Sequence, residues 1–243
     1  MSAAGDRPPL LALWSAPRSR STAFFRMMVE RQDLVTLHEP HCNIANDGGT
    51  EVDGRTVRST DDLTDALLAL SARRPVFFKD TTDCVYDSIL ARPDFLKGAR
   101  HAFLLRHPRE IIPSFAALKP DMARHEVGVE YLDRIHRAVL DAGGDPVVLD
   151  SDDFVDRPEA TVRAYCAAVG LPFRADALRW QPGERPEWSQ SARWHTDVSA
   201  SSTVRRRERT YARTIDDDPL LRSYHDHHLP FYTRLWERRL RIS

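Results

Sequence analysis

Residues 13–24 read L-W-S-A-P-R-S-R-S-T-A-F, and the rest of the chain organises itself around that stretch. The apolar run Pro9–Trp14 (P-L-L-A-L-W) has the length of a buried strand. It passes through a short polar loop into Ser21–Arg31, where Phe24, Phe25, Met27 and Met28 give a helix its apolar face. A strand that turns directly into a helix points free backbone N–H groups at one spot, and the helix dipole adds partial positive charge there. Ser19, Ser21 and Thr22 add hydroxyls, while Arg18 and Arg20 add forked, permanent charge. The expected product is a cradle for a phosphate or sulfate. It is not a Walker A loop: Trp14 and Ser19 stand where that pattern has its glycines, and Arg20 stands where it has its lysine. A generic ATPase is therefore disfavoured.

Outward from this loop, short apolar runs alternate with helical patterns, which predicts an α/β three-layer sandwich around a mainly parallel sheet of about five strands. The further strands are expected at Leu34–Leu37, Val76–Phe78 (ending in Lys79 and Asp80), His101–Leu105 and Pro146–Leu149. Helices are expected at Asp61–Arg73, Pro108–Leu118, Glu130–Ala142 and Arg157–Val169, the last closed by Gly170 and the second kinked at Pro113. Residues 41–60 read as a long mobile loop. Residues 182–215, rich in Arg, Ser and Trp, read as an irregular lid or wrap, and 216–241 as a helical region interrupted at Pro230. All 243 residues are expected to form one domain.

Composition narrows the class. The chain is 42% hydrophobic and 29% charged with a formal net charge of -1, which fits neither disordered nor fibrous proteins. A near-zero charge argues against broad nucleic-acid binding, and no apolar run is long enough to span a membrane. Pro9–Trp14 is too short for a signal-peptide core, so the expected location is the cytoplasm. Three widely spaced cysteines, Cys42, Cys84 and Cys166, read as free thiols. Lysine occurs only at 79, 97 and 119, so nearly every cation is arginine.

A second anion site is legible where His101–Leu105 runs into Arg106-His107-Pro108. Arg106 falls at the carboxyl end of a strand, where open α/β sheets place ligands, and Ser114 lies about two turns along the following helix. Two anion sites in this order suit a doubly charged ligand better than one triphosphate.

The segment Pro17-Arg18-Ser19-Arg20-Ser21-Thr22 resembles the 5′-phosphosulfate loop P-[KR]-S-G-[ST]-[ST] of sulfotransferases that use 3′-phosphoadenosine 5′-phosphosulfate (PAPS), with Arg20 in place of the usual glycine. The spacing from Arg106 to Ser114 resembles that family's 3′-phosphate site. The resemblance implies a P-loop NTPase-like fold and sulfuryl transfer from PAPS to a hydroxyl or amine of a small-molecule acceptor, giving 3′-phosphoadenosine 5′-phosphate (PAP) with no metal required. Where some members carry K-T-H with a histidine base, this chain has Lys79-Asp80-Thr81. Other members, similar to a bacterial trehalose sulfotransferase, use a glutamate just after the second strand. T-L-H-E-P at 36–40 then offers Glu39 first, His38 second and Asp80 third as general base. Arg18 and Lys79 are expected to steady the charge on the leaving phosphate. A late basic segment implies Ser202, Thr203 and Arg205, with Arg206 and Arg207, at the 3′-phosphate.

Other features are discounted. His225-Asp226-His227-His228 and His38-Glu39-Pro40-His41-Cys42 lack a partner pair at zinc spacing. Trp180, Trp188 and Trp194 suit core packing as well as stacking on a base. A P-loop kinase and a nucleotide-binding module without catalytic activity remain the competing expectations. The oligomeric state stays open, with a homodimer among the options.

Overall fold

Six consecutive buried residues, Leu10–Ser15, form β1, and the sheet is built around them. The computed structural model describes residues 9–188, 196–206 and 209–242. After β1 come α1 (Ser21–Glu30), β2 (Val35–His38), α2 (Pro40–Asp47), β3 (Thr50–Val52), β4 (Arg55–Val57), α3 (Thr60–Ser71) and β5 (Val76–Thr81). They are followed by α4 (Pro93–Gly98), β6 (Arg100–Leu105), α5 (Pro108–Ala116), α6 (Val129–Asp141), β7 (Val147–Asp150) and α7 (Ser151–Asp156). The described chain ends with α8 (Pro158–Val169), α9 (Thr196–Ser199) and α10 (Pro219–Glu237).

The main sheet has five strands in the order β2-β5-β1-β6-β7, and every neighbouring pair is parallel. Alternate residues of β1 serve opposite faces, as the two-residue period requires. Leu10, Ala12 and Trp14 pack with α3, α4 and α6, whereas Leu11 and Leu13 pack with α1 and α8. With helices on both faces, the central strands read as continuous apolar runs, which is why they were legible in the sequence. Trp14 is fully buried, and its indole N–H donates to His101 Nδ1 at 2.9 Å. Burial pushes the His101 imidazole down to about 4, so the ring is neutral at pH 7 and can accept that bond.

This strand order places a switch point beside β1. The connection from β1 leads toward β2 at one edge, and the connection from β6 leads toward β7 at the other. The loops leaving β1 and β6 therefore part and open a crevice at their carboxyl ends, where α/β sheets bind ligands.

Two expectations are corrected. Residues 41–60 are not a long loop but carry most of α2 and the β3–β4 hairpin. Pro40 opens α2, buried Asp80 accepts the backbone N–H groups of His41 and Cys42 at 2.9 and 3.1 Å, and Gly48 closes the helix at φ 76°. The hairpin turns at Asp53-Gly54, both with positive φ, a favoured two-residue turn. The helix expected at 157–169 is α8, closed by Gly170, and the short α7 precedes it, capped by Asp150, which accepts from Asp152 N–H. Pro230 does not interrupt α10, which runs through it while packed on α5 and α6. Pro113 likewise lies inside α5, which runs on through it to Ala116.

In the lid region, Trp188 and Val204 join Trp180 in the core beside α1. Trp194 and Arg207 lie outside the described residues.

Candidate active site

The crevice opens into a cavity of about 930 Å³. Its floor is the carboxyl end of the sheet. The loop from β1 supplies Arg18, Arg20, Ser21 and Thr22, β6 and α5 supply Arg106 and Ser114, and β2 and β5 supply Glu39 and Lys79.

The cradle is built by backbone conformation. Arg18 and Arg20 both adopt left-handed geometry, with φ 62° and 63°. Arg20 caps α1 without any side-chain hydrogen bond to the first turn, so its side chain does not compete for the leading N–H groups of the helix. The glycine of the resembling motif would take this conformation freely, whereas an arginine takes it at a cost of about 1–2 kcal/mol. What holds Arg20 there is its guanidinium, which donates to Asp152 at 2.8 Å and Ser151 at 3.0 Å and pairs with Glu110 at 3.3 Å. The side chain is thus anchored to the start of α7, and what Arg20 brings to the cradle is backbone. Arg20→Gly and Arg20→Ala lose the same ion pairs, but only glycine relieves the backbone. Denaturant unfolding should find the Gly variant more stable than the Ala variant by about 1 kcal/mol; equal stabilities would contradict the strain.

Arg18 and the second anion cluster are joined directly. Arg18 Nε donates to Ser114 Oγ at 3.2 Å, and Arg106 Nη1 donates to the Arg18 carbonyl at 2.7 Å. Glu110 holds the other edge of Arg106, accepting from Nε at 2.8 Å. Burial lowers the pKa of both arginines, yet a guanidinium stays charged in a protein. Ser19 is fully buried behind the loop, so its hydroxyl does not face the cavity as expected.

Glu39 lies at the end of β2 in left-handed geometry (φ 49°), its N–H donating to the Lys79 carbonyl at 2.7 Å. Its carboxylate is ion-paired through Oε1 with buried Lys79. His38 packs against Phe25 and Trp188 and does not line the cavity. Burial and then the Lys79 charge hold its ring well below the ordinary histidine range. Asp80 is fully buried, 2.8 Å from His41 Nδ1, and is committed to α2. Of the three candidate bases, only Glu39 faces the cavity.

The late segment divides. Thr203 and Arg205 line the cavity, Thr203 also donating to the Leu178 carbonyl at 3.1 Å. Ser202 does not line it; its carbonyl accepts the Trp180 N–H at 3.0 Å. Arg206 pairs with Asp152 and Asp156 outside it. Trp180 and Trp188 are core residues with Arg26 set over both rings at 5.8 and 6.0 Å.

Sequence reasoning missed Arg209 and Tyr211 near the cradle, and the whole wall opposite: Asn43 and Asn46 of α2, Asp83 and Cys84 after β5, and Lys119, Asp121 and Glu126 after α5. Their only signal was position after a strand or at a helix start. Cys42, Asp83 and Cys84 lie with their ligand atoms within 4.8 Å of one another. The Cys42 thiol is pushed well above its ordinary range, by its hydrogen bond with Cys84 first and then by burial, and it donates to the Thr81 carbonyl at 3.1 Å.

Burial, then the charge of Glu39, raises the Asp83 carboxyl to about 6, opposed by hydrogen bonds from the Thr81 hydroxyl and its own N–H and then by Lys79. The folded state therefore carries an unfavourable charge above that pH. Asp83→Asn should raise the unfolding free energy near pH 7.5 by about 1–2 kcal/mol. The gain should fade as pH falls through 6 and vanish near 4, where the carboxyl is neutral in both states. Unchanged stability near pH 7.5 would contradict this.

A family model described as a sulfotransferase domain matches residues 10–239. The chain is 29% identical over 204 residues to branched-chain-amino-acid aminotransferase-like protein 2 of Arabidopsis thaliana, covering 78% of this chain and 35% of that protein. It spans little more than a third of the curated relatives it matches, 35% and 38% of their lengths. Among solved structures, the sulfotransferase domain of the Synechococcus PCC 7002 olefin synthase matches with TM-score 0.52 and 16% identity over 94% of this chain and 98% of that one. A sulfotransferase from Alicyclobacillus acidocaldarius matches with TM-score 0.50 and 15% identity over 80% and 93%. At such identities the likeness is one of fold, the P-loop-like three-layer sandwich described above.

Proposed function

This chain belongs to the sulfotransferase domain family, and from that premise we propose that it moves the sulfuryl group of PAPS to a small-molecule acceptor and releases PAP. The observation that carries the reading is the hydrogen bond from Arg106 to the Arg18 carbonyl. It sets the two anion clusters on one wall of one cavity, as a carrier phosphorylated at both ends of its ribose requires.

In this reading the N–H groups at the start of α1, with Ser21, Thr22 and Arg18, hold the 5′-phosphosulfate. Arg106 and Ser114, with Thr203 and Arg205 from the late segment, hold the 3′-phosphate. The transfer makes an acceptor O–S bond as the S–O bond to the 5′-phosphate breaks. The electron pair leaves on the phosphate, where Arg18 meets the growing charge. The acceptor proton passes to Glu39, whose Oε1 is fixed by Lys79 while Oε2 is left for the acceptor. Positioning and charge stabilisation supply most of the rate, with the base adding its share.

The test is label transfer. With EDTA present, label from radioactive PAPS should pass to members of a pooled set of hydroxylated and aminated metabolites. Magnesium-dependent transfer of the γ-phosphate of ATP to the same pool, with none from PAPS, would overturn the reading in favour of a kinase.

A further inference from the structure

The cavity has two electrostatic halves. Around the cradle the charged side chains are mostly arginines, Arg18, Arg20, Arg106, Arg205 and Arg209, with Asp197 paired to Arg209 among them. The opposite wall, from α2, the turn after β5 and the segment after α5, carries Asp47, Asp83, Asp121 and Glu126. Both lysines that reach the cavity are matched by glutamates, Lys79 by Glu39 and Lys119 by Glu126. Asp83 and Asp121 make no ion pair among the described residues.

Asp83 carries the inference furthest. It lines the cavity, and its buried Oδ1 accepts no hydrogen bond among the described residues, the carboxylate being helped only by the Thr81 hydroxyl and its own N–H. Buried carboxylate oxygens are normally satisfied, since an unmatched one costs free energy. The charge that burial disfavours is relieved once a cation sits against the cavity-facing side of the same carboxylate, away from bulk water. An acidic wall facing a basic one also sorts ligands by sign: the basic half suits the anionic donor, and the acidic half repels an anionic acceptor.

We propose that the acceptor is a hydroxylated amine, bound with its ammonium group against Asp83, Asp121 adding attraction across the same wall, and a hydroxyl presented to Glu39. This rests on the sulfotransferase reading above and sharpens it. An ammonium nitrogen held by carboxylates keeps its proton and has no lone pair, so the sulfuryl group goes to oxygen. The hydroxyl oxygen forms the O–S bond, its proton moves to Glu39, and PAP departs with the electron pair of the broken S–O bond.

The experiment uses matched pairs that differ by one charge: hydroxylated amines, such as glucosamine and a series of amino alcohols, against their N-acetyl derivatives. Each is titrated calorimetrically into the full chain loaded with PAP. At least one amine should bind roughly tenfold or more tightly than its N-acetyl partner. Asp83→Asn should bring that pair within about threefold while leaving PAP affinity unchanged, and Asp121→Asn should give a smaller loss of the same kind. Because Asp83→Asn is expected to stabilise the fold, a lost preference would not reflect unfolding. A panel in which no amine is preferred, or a preference that survives Asp83→Asn, overturns the proposal. Failure of the wild-type chain to bind PAP at all strikes instead at the reading on which it rests.

Discussion

Glu39→Gln is expected to lower the rate of sulfuryl transfer by about 10²–10⁴-fold, the range a positioned general base contributes. The amide keeps the size of the carboxyl but cannot take the acceptor proton. Glu39 sits at the end of β2, away from the α1 cradle and Arg106, and no hydrogen bond ties it to either among the described residues. PAP affinity should therefore stay within about threefold of wild type, since uniform binding of the carrier does not involve the base. The pairing with Lys79 makes the companion variant informative. Lys79→Met removes the group that fixes Oε1 and should also slow transfer, yet with the carboxylate still present. Rates would be measured as PAP release under saturating PAPS, and affinities by calorimetry. A Gln variant with a normal rate and normal PAP binding would remove Glu39 from the chemistry.

The second large effect concerns the carrier. Arg106→Ala should weaken PAP by about 1.5–3 kcal/mol, roughly ten- to a hundred-fold in Kd, the worth of charged hydrogen bonds to a phosphate. Adenosine 5′-phosphate lacks the 3′ group and should lose much less. It should still lose something, because Arg106 also braces the loop by donating to the Arg18 carbonyl. The informative quantity is the ratio: the loss for PAP should exceed that for adenosine 5′-phosphate about tenfold. Equal losses would mean that Arg106 only supports the loop and does not touch the 3′-phosphate.

The central fold was legible because β1, β5 and β6 are covered on both faces and so read as unbroken apolar runs. The cradle was legible because its hydroxyls and arginines are contiguous in sequence. What the arginines do was not. Arg18 and Arg20 differ by two positions, yet one reaches Ser114 and the other Asp152. That division follows from two left-handed residues, which propensity assigns to glycine or asparagine. The α2 and β3–β4 region was misjudged because the cap of α2 is supplied by Asp80, remote in sequence. A local reading saw only a polar, glycine-containing stretch, although Asp53-Gly54 carried a hairpin signal. His38 and Asp80 were plausible bases by position at strand ends. Only packing shows that the His38 ring is enclosed by Phe25 and Trp188 and that the Asp80 carboxylate is taken up by α2. The acidic wall was the least legible part. It is assembled from three segments, none of which carries a motif, and its meaning lies in their convergence opposite the arginines.

The most direct test of a single cavity spanned by a doubly phosphorylated adenosine is a calorimetric titration of the full chain with PAP, adenosine 5′-phosphate and ATP, the last with and without magnesium. PAP should bind at least about tenfold more tightly than either of the others, with no dependence on magnesium. Tighter binding of magnesium–ATP, or no binding of PAP, would contradict the account.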